Sequence, residues 1–281
     1  MVSRRLSGYA RLLPMVPEIQ RPAIDFPAPE PPEPAGVVVA PAVAAPRAKR
    51  GLLRRLWLPL SALAIAYVAW QVLTWPDVAA LAKTNPQSTA FIDEYRDRWF
   101  FPDRKVEWKW VPYSRISRNL RRAVLVGEDA TFFGHEGFDT DEMRAALEEA
   151  IQEHRLPRGA STITQQVAKN LWLSPSRNPL RKVKEALLTG ALERHLTKRR
   201  ILEIYLNVSE FGAGIYGAEA ASRHYFHHSA ASLSSHEAAQ LAAALPSPKH
   251  WYPGSGSRAY AWRVRWIERR MWRTGWISGR A

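Results

Sequence analysis

The sequence predicts a mainly α-helical chain in which a single transmembrane helix precedes one helical domain. Three observations carry this. Hydrophobic residues recur at helical spacing through most of the chain beyond residue 76, the positions 56–75 hold no charged residue, and plausible strand patterns are short and few. With 281 residues, 46% of them hydrophobic, the chain is long enough to bury a sizeable core.

Residues 1–50 read as a disordered cytoplasmic tail. Ten prolines fall before residue 47, in runs such as P-A-P-E-P-P-E-P-A, and such a segment buries too little apolar surface to offset its ordering entropy. Residues 51–76 read as the transmembrane helix with its basic flank. L-W-L-P-L-S-A-L-A-I-A-Y-V-A-W-Q-V-L-T-W, residues 56–75, has the length that a hydrocarbon core of about 30 Å requires. Trp57, Trp70 and Trp75 suit the interfacial belts, and Arg47, Lys49, Arg50, Arg54 and Arg55 on the N-terminal side put the tail in the cytoplasm and the remainder outside. Pro59, Ser61, Gln71 and Thr74 dilute the run, so a buried core helix is the alternative. A cleaved signal peptide fits less well, because the run is too long and too far from the N-terminus.

Residues 77–281 read as the functional domain. Helical spacing appears in D-E-M-R-A-A-L-E-E-A-I-Q-E-H, T-I-T-Q-Q-V-A-K-N-L-W-L, P-L-R-K-V-K-E-A-L-L-T-G-A-L-E-R-H-L, K-R-R-I-L-E-I-Y-L-N-V and H-E-A-A-Q-L-A-A-A-L. Asn178 before Pro179 predicts an N-cap and first turn, and V-E-W-K-W-V at 106–111 predicts a short strand. R-A-Y-A-W-R-V-R-W-I-E-R-R-M-W-R-T-G-W, near the C-terminus, mixes aromatic and basic residues. It suits either a bilayer headgroup region or a closing helix that packs Trp262 and Trp266 on the domain.

Charge narrows the chemistry. The absence of cysteine excludes disulfides, a thiol nucleophile and cysteine-based zinc sites. A net charge of +14 points to an anionic partner: nucleic acid, an acidic membrane face or a phosphorylated substrate. The charge is also sorted, with nine acidic residues against one basic in 128–153 and eleven basic against two acidic in 155–200. The first segment has the groups to move protons, the second those to hold an anion.

In the acidic segment, G-E-D-A-T-F-F-G-H-E-G-F-D offers Glu128, Asp129, His135 and Asp139 as metal ligands, but their spacing matches neither H-E-x-x-H nor a calcium loop. A catalytic Glu128 is better supported, with Phe132 and Phe133 expected to desolvate it and raise its pKa. In the basic segment, Thr162 and Gln165 fit a capping box, after which Thr162, Gln166 and Lys169 share one helix face. That face is either an ordinary polar surface or an anion site at a helix N-terminus. Arg181 and Glu185, one turn apart, read first as a surface ion pair. The sharper reading has Arg181 and Lys182 neutralising a diphosphate while Glu185 orients them or binds a metal.

Taken in order, these pieces resemble the bacterial peptidoglycan glycosyltransferases. E-D-A-T-F-F-G-H-E-G-F-D matches E-D-x-x-F-x-x-H-x-G-[FV]-D, and R-G-A-S-T-I-T-Q-Q-V-A-K-N matches G-G-S-T-I-T-Q-Q-x-x-K-N with Ala160 in place of the second glycine. Arg181, Lys182 and Glu185 match R-K-x-x-E, K-R-R-I-L-E-I-Y-L-N matches the fourth motif, and E-A-A-Q-L-A-A-A-L-P-S-P resembles the family's later helix. The similarity covers roughly residues 110–250. With no S-x-x-K motif for a transpeptidase, it is to the monofunctional form.

The resemblance implies a lysozyme-like helical glycosyltransferase domain on the outer face of the inner (cytoplasmic) membrane, in the periplasm, polymerising lipid II onto a growing glycan by inverting β-1,4 transfer. By motif position Glu128 is the general base and Glu185 the second essential glutamate. Lys169, Arg181 and Lys182 match the diphosphate contacts, with Ser161, Thr162, Gln166 and Asn170 beside them. Asp129, Phe132 and His135 shape the first site, while Glu203 and Asn207 are structural. A divalent cation, magnesium or manganese, is implied for the family without a dedicated protein cage. The partners implied are lipid II, the glycan strand, the membrane and other cell-wall synthesis proteins, and the topology argues against nucleic acid. The rival readings are a lysozyme-like lytic enzyme, which leaves the basic segment unexplained, and a non-enzymatic membrane-anchored scaffold.

Overall fold

The computed structural model describes residues 50–97, 105–154, 159, 161–174 and 179–273, with the backbone alone at 50–56 and 179. The Pro-rich tail up to residue 49, with Arg47 and Lys49, lies outside the described residues, as do Ala160 and the expected N-cap Asn178. The chain divides into two units, 1–65 and 66–281.

Of the first unit, the described part is the beginning of helix α1, Arg50–Leu73. Its large apolar side chains, from Trp57 to Leu73, are exposed. No helix is long and apolar enough among the described residues to cross a membrane. The expected transmembrane segment 51–76 is met as a helix over residues 50–73.

In the second unit, short polar side chains start the helices. Thr89 caps α2 (Ala90–Arg96), Ser117 caps α3 (Arg118–Glu128), and Asp139 caps α4 (Thr140–Gln152), each accepting a first-turn backbone N–H. Thr162 and Gln165 form the expected reciprocal capping box on α5, Ile163–Trp172. Helix α6 runs Pro179–His195, and Thr197 caps α7, Lys198–Val208. After α8 (Ala218–Phe226), a second capping box, Ser234 with Glu237, starts α9, Ser235–Ala244, and α10 (Arg258–Arg273) closes the described chain.

The core forms where α9 packs between α3 and α10, and where α5 packs against α6 and α7. Ala238, Ala239, Ala242 and Ala243 of α9 are wholly buried, small enough to let both neighbours approach closely. Leu120, Val124 and Leu125 of α3 and Ile267 of α10 fill the space around them. A small sheet sits at one side in the order β1-β3-β2: β1 (Glu107–Trp108) runs parallel to β3 (Ile215–Tyr216), and β2 (Glu210–Gly212) runs antiparallel to β3 through a register shift.

Asn207 joins α7 to the chain leaving β1. Its side-chain oxygen accepts from Val111 N at 2.9 Å and its amide donates to Val111 O at 2.9 Å, as a neighbouring strand would. Trp108 Nε1 donates to the Asn207 carbonyl at 2.7 Å. That carbonyl also packs on Gly217, where φ is +81° and an added Cβ would lie only 2.6 Å from the carbonyl oxygen. Asn207→Ala orphans the buried Val111 N–H and carbonyl, and urea unfolding should register a loss of about 3 kcal/mol.

Candidate active site

Helix α3 ends on Glu128, and the eleven residues to Asp139 are folded back by their own polar groups. Asp129 is buried. Its carboxylate accepts from Ile163 N, the first residue of α5, at 3.0 Å, and takes His135 Nε2 at 3.0 and 3.2 Å. His135 Nδ1 accepts from Gly137 N at 3.1 Å, so the ring proton lies on Nε2 and is donated to Asp129. Gly137 has φ +91°, and a Cβ there would strike Thr189 Cγ2 at 2.7 Å. The glycine lets the loop lie against α6 while its carbonyl accepts from the Thr162 hydroxyl at 2.6 Å. One motif is thereby pinned to the start of the next.

This pinning changes how several expected site residues are read. Thr162 is buried, and its hydroxyl is committed to Gly137 and the capping box, which leaves it a structural part of the cleft wall. Phe132 is wholly buried in the core, edge-on to Phe133 with centroids 5.1 Å apart, and beneath the Lys198 ammonium. Neither phenylalanine lines the cleft at Glu128. His135 and Asp129 hold the loop together through each other.

Glu128 itself is held between two neighbours. Its Oε2 accepts from Gln166 Nε2 at 3.0 Å, and its Oε1 from Arg263 Nη2 at 2.7 Å. Arg263 also donates to the Gly127 carbonyl at 3.0 Å, which anchors α10 on the last turn of α3. Gln166 is oriented in turn by the buried Tyr205, whose hydroxyl donates to Gln166 Oε1 at 3.0 Å. Burial raises the Glu128 pKa above the usual carboxylate value, while Gln166, Arg263 and Lys169 pull it down. Burial, with the Glu128 charge added to it, lifts Tyr205 well above the usual phenol range, so Tyr205 stays a hydrogen-bond donor.

The cationic side of the site comes from α5 and α6. Glu185 is buried, accepting from Arg181 Nη1 at 3.0 Å on one oxygen and from Lys182 Nζ on the other. This is more than the surface ion pair the spacing also allowed, because a buried carboxylate fixes two cations at one end of α6. Lys169 on α5 interacts electrostatically with that trio and with Glu128. Burial lowers its pKa, Glu185 opposes the shift, and Arg181 and Lys182 add to it. Asn170 is half-buried beside Lys169, and Ser161 is exposed on the cleft wall.

The cleft at Glu128 measures about 680 Å³ and runs between the α3–α4 loop, the start of α5 and α10. Trp262, Arg263, Trp266 and Arg270 form its α10 wall. Arg263 and Tyr205 were not reached from the sequence. Tyr205 sits inside the fourth motif, Y-L-N, and Arg263 inside the aromatic and basic run, which were the available signals.

Asp129, His135 and Asp139 bring potential ligand atoms within 4.8 Å of one another. Both His135 nitrogens are engaged, Asp129 caps α5, and Asp139 accepts from Glu142 N at 2.8 Å and from the Thr131 hydroxyl. These groups do not fit a divalent cation, which needs free oxygen donors. Glu185, with two cations on its oxygens, fits one no better.

Fold and site together define a helical enzyme with a carboxylate, Glu128, in a cleft and a cluster of cations gathered on a second, buried carboxylate, Glu185. The family model described as Transglycosylase matches residues 96–272, and the chain belongs to this family. It is 44% identical over 220 residues to the biosynthetic peptidoglycan transglycosylase of Chromobacterium violaceum, covering 78% of this chain and 96% of that protein. The protein of the same description from Thiobacillus denitrificans is 46% identical over 231 residues, covering 78% of this chain and 97% of its own. That from Cupriavidus metallidurans is 49% identical over 201 residues, covering 69% and 85%.

Proposed function

We propose that the protein polymerises lipid II into peptidoglycan strands by inverting β-1,4 glycosyl transfer, releasing undecaprenyl diphosphate. The observation that carries this is Glu128, its side chain 10% exposed and its pKa raised, coupled through Lys169 to a cationic cluster built on Glu185. Glu128 takes the proton of the acceptor's 4-hydroxyl as that oxygen bonds to the donor's anomeric carbon. The bond from that carbon to the diphosphate breaks, and its electron pair leaves with the diphosphate. Lys169, Arg181 and Lys182 stabilise the departing charge, so the leaving group needs no proton donor. Glu185 orients Arg181 and Lys182. Gln166 and Arg263 hold Glu128 in place, and Ser161 and Asn170 line the approach.

Residues 51–76 are the proposed membrane anchor, with the N-terminus cytoplasmic and the domain periplasmic. Exposed apolar side chains from Trp57 to Leu73 of α1 support this, since in water they have no partner. Gln71, near the end of α1, accepts from Lys184 of α6 at 2.7 Å, which supports a site close to the proposed anchor. Leu180, Val183 and Leu187 of that same helix are exposed, as suits a surface lying on lipid. Incubating the full chain with lipid II in detergent should yield glycan polymer. Release of sugar fragments from finished wall, with no polymer, would establish the lytic reading instead.

A further inference from the structure

The proposed chemistry uses Arg263 of the α10 wall and leaves the tryptophans beside it without a task. There Trp262 and Trp266, one turn apart, hold their rings nearly parallel, 22° between planes and 6.4 Å between centres. The Arg270 guanidinium lies 4.6 Å from the Trp266 ring centre and covers that ring. Trp262 is 55% exposed, and both rings face the cleft that holds Glu128. A single guanidinium links the pair to the carboxylate: Arg263 donates to Glu128 at 2.7 Å, and its Cζ lies 5.9 Å from the Trp266 ring centre.

We infer that Trp262, backed by Trp266, is a stacking platform for an N-acetylated sugar ring of the glycan. A β-linked pyranose presents a face of C–H groups that is apolar while its hydroxyls point outward, and a flat indole buries that face without competing for the hydroxyls. From Glu128 the Arg263 guanidinium reaches Trp266, and Trp262 lies one ring beyond it, which suits a sugar next to the reacting one rather than the reacting ring itself. Open indoles also serve at bilayer surfaces, but there they stand on the outside of a protein. Trp272 of the same helix does so, 88% exposed and apart from the cleft, whereas Trp262 forms part of the cleft wall. The platform rests on the glycosyl-transfer reading for its ligand, and it adds a subsite to that reading.

Calorimetric titration of the full chain in detergent with a soluble β-1,4-linked N-acetylglucosamine tetrasaccharide tests it. Trp262→Ala should weaken binding about tenfold, Trp262→Phe should keep most of it, and Trp272→Ala should leave it unchanged. In polymerisation assays Trp262→Ala should raise KM more than it lowers kcat. Wild-type binding that Trp262→Ala leaves intact, or no wild-type binding, overturns the platform. So does a Trp262→Ala defect confined to sedimentation with anionic phospholipid vesicles, which assigns the indole to the membrane. The two readings fail separately. A wild-type chain that binds tetrasaccharide yet makes no polymer sinks the proposed function alone, and normal polymerisation with unaltered Trp262→Ala kinetics and binding sinks the platform alone.

Discussion

Glu128→Gln should lower the rate of glycan polymerisation by about a thousandfold while leaving the fold intact. Glutamine keeps the shape and accepts from Arg263 as the carboxylate does, but it takes no proton from a hydroxyl. Because burial lifts the Glu128 pKa above its ordinary 4.5, the wild-type rate should rise with pH through a midpoint above that value. Arg263 opposes this shift, so Arg263→Gln should move the midpoint higher still and make the enzyme slower in mild acid than at neutral pH. Stability has the opposite sign. The native state holds this proton more tightly than the unfolded chain does, so the Glu128 contribution falls as pH rises from the unfolded pKa to the native one. Thermal melts between those limits should show the slope in the wild type and lose its Glu128 part in Glu128→Gln. A variant that polymerises at the wild-type rate removes Glu128 from the chemistry.

The helices legible in the sequence are those with a periodic stripe, to which a capping signal adds in some. Helix α5 shows both, with Thr162 and Gln165 at its start and Ile163, Val167 and Leu171 buried along it. Helix α3 carries Glu128 but was not marked, because its apolar residues bunch at 123–126 and Gly127 interrupts the end. The cationic trio was readable from spacing, since Arg181, Lys182 and Glu185 need only one turn of one helix to meet. Arg263 was not, because its partner lies 135 residues away and is brought close only when α10 packs on α3 and α9. Asp129 and His135 were readable as a group but not in their task. Only the fold shows that the carboxylate faces the first N–H of α5 and that the ring takes its proton position from Gly137.

Lys169→Met should cost the second largest effect, about a hundredfold in kcat, because it removes the half-buried cation proposed to stabilise charge as the diphosphate departs. Methionine fills much the same space, so the loss should appear without a fall in melting temperature. The lysine's environment adds a second, independent signature. Burial, Arg181 and Lys182 all favour its neutral form, and the Glu185 carboxylate is the main group holding the proton on. Wild-type activity should therefore decline on the alkaline side with a midpoint below the ordinary lysine value of 10.5. Glu185→Gln should shift that decline to lower pH while leaving the acid limb, which belongs to Glu128, nearly where it was. A Glu185 that acted instead as the proton acceptor would take nearly all activity with it in Glu185→Gln, leaving no profile to shift. Full pH–rate profiles of Glu185→Gln and Glu128→Gln, measured with lipid II at saturating and limiting concentrations, separate the two assignments. With both limbs set by burial, one raising a carboxylate and the other lowering an ammonium, the active range should be narrower than free side chains would allow and should lie where Glu128 is ionised and Lys169 is charged.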